Sequence, residues 1–284
     1  MLGATLSIAR ADADPSESGA TPPAAAAAPS ADGPDQLLLP KGRVILDAYL
    51  EIGLSSGSAF KPVSISPDIW YGVSDVLTVG LVHSSVGGSG FIGGVGQSLC
   101  LTGAGTATDP GGCAHVYQNV GFDGRYKLKF GSGDISWAAD GGLFINSLSD
   151  PFELDLKLGV VGRWHKDKLA VEFQPNIFVG LTNRTVDEAG GVSTTINGET
   201  LSIPVTGLYT VAPKIAVAVQ LGVILPFEDA GDNFEIPLSI GGHYNVNESL
   251  NVNAAFTLSA VVGGSNVQTG ADGRAFTIGG TYAF

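Results

Sequence analysis

The stretch Leu250–Val262 alternates with a period of two along its whole length. Leu250, Val252, Ala254, Phe256, Leu258, Ala260 and Val262 fall on one face, and Asn251, Asn253, Ala255, Thr257, Ser259 and Val261 on the other. Alternation sustained this far argues a β-strand. Strands of soluble domains usually end after about five or six residues, whereas one that crosses a bilayer needs about 9–11. The last segment repeats the pattern, with Phe276, Ile278, Gly280, Tyr282 and Phe284 set against Ala275, Thr277, Gly279, Thr281 and Ala283. Whatever this chain folds into must therefore accommodate long strands with one apolar face.

Period two runs from Arg43 to the end and gives twelve strands: 43–53, 60–72, 76–85, 115–129, 135–146, 152–165, 169–181, 201–211, 214–225, 234–245, 249–262 and 273–284. The links after even-numbered strands are short (73–75, 130–134, 166–168, 212–213, 246–248), and those after odd-numbered strands include the long 86–114 and 182–200. Short turns at one end, long loops at the other and an even strand count are the marks of a membrane β-barrel, and they put both termini on the short-turn side. Composition agrees. Only 14% of residues are charged while 44% are hydrophobic, a balance that excludes disorder for most of the chain. No uncharged apolar run approaches the roughly 18–20 residues of a spanning helix. A net charge of −13 argues against nucleic acid as a partner, since phosphate contacts need clustered Lys and Arg.

An aromatic precedes each short turn or the end of the chain: Tyr71, Tyr126, Trp164, Tyr209, Tyr244 and Tyr282. All six share the parity of the apolar face. Tyr and Trp settle where an apolar ring can meet lipid and a polar tip can meet water, so one per hairpin at one height reads as an interfacial girdle. Phe152, Phe234 and Phe276 are candidates for the opposite belt.

The unit Tyr71-Gly-Val-Ser-Asp-Val-Leu-Thr-Val-Gly-Leu81 resembles the strand–turn–strand units of Gram-negative outer-membrane β-barrel proteins. The ending Phe276-Thr-Ile-Gly-Gly-Thr-Tyr-Ala-Phe284 is similar to their C-terminal assembly signal, with Phe284 last and Tyr282 two residues before it. The resemblance spans about residues 43–284 and implies an all-β transmembrane antiparallel up-and-down barrel. It further implies insertion by the barrel assembly machinery into a membrane of outer-membrane lipids and lipopolysaccharide, with both termini periplasmic. It does not fix the task, because channels, enzymes and adhesins share this architecture.

Three segments follow. Residues 1–11 read either as the remnant of a signal peptide, with Ala9-Arg10-Ala11 before the cut, or as a short leader. Residues 12–41, rich in Pro and Ala, are expected to be extended and disordered in the periplasm. The barrel proper occupies 42–284. Cys100 and Cys113 flank a Gly-, Asp- and Pro-bearing loop that can turn back on itself, and a disulfide there would add about 3 kcal/mol and imply an oxidising compartment.

On the inward parity lie Asp47, Glu51, Asp68, Asp123, Arg125, Lys127, Asp140, Glu153, Asp155, Lys157, Arg163 and Glu172, expected to line a lumen. A charge facing lipid at mid-depth costs about 2–4 kcal/mol for Arg or Lys, so these groups must face inward or sit at a rim. With Arg43 and the rim residue Glu235 included, acids outnumber bases on this parity. A water-filled lumen of that sign would pass small polar solutes with a mild preference for cations. The alternative is that the charges pair and close the interior, leaving a scaffold that acts through its external loops. Glycines 72, 80, 121, 142, 159, 180, 222, 241 and 279 share the inward parity and would widen the bore. An enzyme ranks third: His83-Ser84-Ser85 has the His-x-Ser spacing of the outer-membrane phospholipases, but Val86-Gly87 follows where that family has Asn-Gly. An autotransporter translocator would need a passenger and a helix in the pore, for which residues 12–41 are too short and too Pro-rich. The loop 229–233 carries carboxylates but too short a ligand string for calcium. No cofactor fingerprint follows a strand.

Overall fold

In the computed structural model, residues 37–55, 62–93, 99–102, 117–130, 133–148, 152–182, 185–188, 192–195, 197–270 and 273–284 are described. They form a closed antiparallel barrel of twelve strands. These are β1 (Val44–Gly53), β2 (Val63–Ser74), β3 (Leu77–Val82), β4 (Val120–Lys127), β5 (Ile135–Ser147), β6 (Glu153–Lys166), β7 (Leu169–Phe173 continued by Asn176–Gly180), β8 (Thr200–Ala212), β9 (Ile215–Pro226), β10 (Glu235–Asn245), β11 (Leu250–Gly263) and β12 (Arg274–Ala283). Each strand pairs with its sequence neighbour, and β1 closes the cylinder against β12 from Ile45↔Ala283 to Gly53↔Ala275. Closure leaves no unpaired edge, which is the condition for a sheet to sit in hydrocarbon.

The turns have the expected polarity. Asp167-Lys168 joins β6 to β7, with Asp167 at φ 52, the left-handed backbone that a two-residue hairpin turn of matching twist requires. A short strand, Leu99–Thr102, continues the line of β3 by pairing with β2, and a separate hairpin pairs Thr185–Glu188 with Val192–Thr195. Cys100 lies on the first of these; Cys113, its expected disulfide partner, falls outside the described residues.

The distribution of polarity is the reverse of a soluble domain. Phe122 is 66% exposed and Ile240 58%, while Arg125, Lys157, Asp47 and Glu51 are wholly buried. An apolar outer wall around a charged interior has a simple physical account: lipid outside and polar packing within.

Two prolines break the reading by period alone. The single strand expected over 169–181 is interrupted at Gln174-Pro175, where Pro175 has no N–H to donate to the ladder. Similarly, Pro237 on β10 faces a bulge in β11, since Ile236 pairs with Val262 and Leu238 with Leu258. Within the bulge the faces swap, so that Ala260 is buried and Ser259 exposed, opposite to the alternation expected there, and the outward parity returns at Val262.

Candidate functional site: the barrel interior

The interior is built by neighbouring strands that place opposite charges at opposing positions. Arg125 on β4 pairs in register with Asp140 on β5, and Arg163 on β6 with Glu172 on β7. Lys157 of β6 reaches both Asp123 (2.7 Å) and Asp140 (2.8 Å), and Arg125 lies 3.5 Å from Asp140. Gln174, at the break in β7, donates to Asp140 at 3.1 Å. The Arg125 guanidinium also sits over the Trp70 ring, 5.1 Å from its centroid, a favourable site for a cation shielded from water.

The acids on β1 and β2 are satisfied differently. Asp47 accepts from the Thr281 hydroxyl (2.5 Å), and Glu51 from Ser64 (3.2 Å) and Ser66 (3.5 Å). Asp68 accepts from the backbone N–H groups of His83 (2.7 Å) and Ser84 (2.9 Å) and from the Ser84 hydroxyl. Asp47 and Asp68 stand directly opposite each other across the β1–β2 pair. This wall of the barrel is thus acidic, with hydroxyls and backbone amides as its donors.

Of the other residues expected to line a lumen, Asp155 is buried at the long-loop end, with Glu153 half-buried beside it, and Lys127 is half-buried at the short-turn end. Tyr71, Tyr126, Tyr209, Tyr244 and Tyr282 all point outward, each more than 40% exposed, and Trp164 is partly exposed. The Tyr282 and Phe284 rings meet edge-on at 4.8 Å.

Period reading missed what fills the bore. The third strand does not continue to residue 85. It ends at Val82, and residues 83–93 turn into the barrel through a helical turn at Ser85–Gly88, capped by the Ser84 hydroxyl on the Gly87 N–H. Asn176 donates to the Ser89 carbonyl, Gln220 to that of Gly90, and Ser239 and Thr257 to that of Ile92. The segment therefore crosses from β2 to β7, β9, β10 and β11. His83 and Ser85, which share the His-x-Ser spacing, do not form a base–hydroxyl pair. His83 engages the Pro67 carbonyl and the Tyr117 hydroxyl, while Ser85 donates to the Phe91 carbonyl.

From the other end, Leu37, Leu38 and Leu39 are buried in contact with Ala138, Val161, Ile45 and Trp70, and the Leu39 N–H donates to Thr78. The tail of the segment expected to lie outside the barrel through residue 41 instead stops its short-turn end.

The inward glycines do not widen the bore either. Trp70 lies opposite Gly80, Phe144 opposite Gly121, and Tyr49 opposite Gly279 in the strand register. A Cβ at Gly80 would meet Trp70 at 2.4 Å, and one at Gly121 would meet Phe144 at 2.3 Å. The rings pack against the glycines of the next strand, covering backbone that would otherwise be bare. Such cross-strand pairs are the sequence signal by which the packed interior could have been found. Beside Val86, Ile92 and His243 a void of about 30 Å³ remains, room for about two waters.

At the long-loop mouth the barrel opens into a larger cavity of about 400 Å³, walled by Asn146, Glu153, Asp155, Asn197, Glu199, Glu228 and Asp229 among others. The 229–233 loop forms part of this wall. It folds as a helical turn, with Asp232 accepting from Ser265 at 2.8 Å.

No protein-family model matches the chain, and no curated protein matches it. Among solved structures it is similar to the NanC porin, with a TM-score of 0.55 and 9% identity over 84% of this chain and 98% of that one. It is also similar to an outer membrane channel from Pseudomonas putida F1 (TM-score 0.54, 13% identity, 87% and 97% covered) and to the KdgM porin (TM-score 0.51, 10% identity, 84% and 99% covered). The chain has the fold of outer-membrane porins and channels.

Proposed function

We propose that this barrel sits in a bacterial outer membrane, with both termini in the periplasm, as a narrow gated channel for small polar solutes that favours cations. The observation that carries this reading is the inside-out polarity of a closed cylinder whose bore is crossed by the hydrogen-bonded segment 83–93. Segment 83–93 is held through side chains of the wall and by the buried Val86 and Phe91, not by a continuous ladder, so it is the element that can move while the cylinder stays closed. The cation preference is supported by the acidic wall of Asp47, Glu51 and Asp68 and by the acidic outer mouth.

A second reading rests on Leu37–Leu39 and residues 83–93 together: with both in place the bore is blocked, and the barrel would serve as a scaffold for its external loops. Planar-bilayer recording separates the two. Steady single-channel currents with a cation-selective reversal potential are expected, reduced in selectivity by Asp68→Asn combined with Asp140→Asn. Silence at all voltages would favour the scaffold.

A further inference from the structure

We propose that the outer wall at the β6–β7 hairpin binds an anionic diacyl phospholipid, with Lys166 and Lys168 on its headgroup and Trp164, Leu169 and Tyr209 against its chains. The inference goes beyond the channel reading. Of that reading it uses only the membrane, so lipid binding and conduction can be tested apart.

Parity isolates Lys166. Along the described residues of β1–β12, the outward face carries just two charges, Lys166 and Arg274. Arg274, at the long-loop end, gives its Nε–H to the Leu54 carbonyl at 2.6 Å. The Lys166 ammonium, at the short-turn end, has no partner in the protein. It is exposed, and among the described residues neither it nor the exposed Lys168 is ion-paired, although Asp167 stands between them. A cation turned to the lipid side of a barrel is tolerated only near an interface.

The neighbours of Lys166 complete a lipid surface. Lys166 pairs with Leu169, and Leu169 with Tyr209, so an ammonium, an aliphatic and a phenol side chain lie in one outward row across β6, β7 and β8. Leu169 is 38% exposed and Tyr209 47%. Trp164 follows on the same face, one outward position nearer the middle of β6. Tyr and Trp mark the depth of the headgroups. A lysine at that depth runs its methylenes along the apolar wall and puts its ammonium among phosphates. Two ammonium groups against the one carboxylate of Asp167 leave the hairpin positive, which selects an anionic headgroup over a zwitterionic one.

The test is quenching of tryptophan fluorescence by brominated lipid, with the full chain reconstituted in phosphatidylcholine vesicles. Trp137 and Trp164 are partly exposed on this side of the wall, whereas Trp70 is buried in the bore, so the quenched light comes from beside the hairpin. At low salt, a small share of brominated phosphatidylglycerol should show about five-fold higher relative affinity than brominated phosphatidylcholine. Lys166→Gln combined with Lys168→Gln should bring the two lipids level. Both side chains are exposed, so the folded, heat-modifiable band should be kept. Lys41→Gln, at a rim lysine away from the hairpin, should leave the preference unchanged. Equal quenching by the two lipids in the parent, a preference kept by the folded double variant, or an equal loss in Lys41→Gln would overturn the proposal. The channel reading fails separately: a barrel that prefers the anionic lipid but passes no current keeps this site, and one that conducts without the preference loses the site alone.

Discussion

The Ser84 hydroxyl donates to the Asp68 carboxylate, and with the backbone N–H groups of His83 and Ser84 it makes Asp68 the anchor of the segment that enters the bore. Hydrogen bonds to a charged group are worth about 1.5–3 kcal/mol each, so this single side chain holds much of what keeps the segment turned inward. Asp68→Ala should therefore free residues 83–93 while leaving the wall ladder of β2 intact. Larger or more frequent single-channel openings than the parent's, recorded in planar bilayers, are the expected result. Identical current traces would mean that the segment is held by its far contacts on Gln220 and Thr257 alone.

The architecture was legible in the sequence because alternation, turn length and the placement of Tyr before turns are local signals repeated along the chain. The contents of the barrel were not. Leu37–Leu39 stand without period beside a Pro/Ala-rich stretch, and nothing local says that they enter a cylinder. Residues 83–85 continue β3 in pattern, and the inward turn of 83–93 depends on Asp68, Asn176 and Gln220, which are distant in sequence. The charges of the interior could be assigned to a face by parity, but their pairing could not, because Lys157 meets Asp123 and Asp140 only once three strands are in register.

The buried ion cluster supplies a stability prediction. Lys157 is the shared partner of two buried acids, and removing one member of such a group leaves uncompensated charge, at a cost of about 3–5 kcal/mol. Lys157→Met should lower unfolding stability in micelles by that order. Adding Asp123→Asn should recover part of the loss, because it removes a carboxylate left without its cation. Urea unfolding followed by tryptophan fluorescence reads both, and a double variant no more stable than the single one would show that Asp123 is compensated elsewhere.

Depth along the outer wall should also be measurable. Ile240 pairs with Phe256 near the middle of β10 and β11, whereas Val252 pairs with Tyr244 of the aromatic belt. Arg facing lipid costs about 2–4 kcal/mol at the midplane and about 0–1 near the interfaces. Ile240→Arg should accordingly destabilise the barrel in lipid vesicles by several-fold more than Val252→Arg. Equal losses at the two sites would contradict this placement of the belt and the midplane.

The chain end makes the last prediction. Phe284 donates its backbone N–H to Val44 across the closing β1–β12 seam, and its ring packs edge-on against Tyr282, with both side chains on the outer face. An exposed pair of rings at the final strand adds little to the packed interior, so deleting Phe284 should leave the finished barrel nearly as stable as the parent after refolding in detergent. Assembly in cells is a different matter if this exposed ending is what the insertion machinery reads. The expected outcome is then a fall in the heat-modifiable, folded band from membranes, with refolding in vitro preserved. A loss of both would assign Phe284 to closing the seam, and a loss of neither would remove the terminal ring pair from the assembly step.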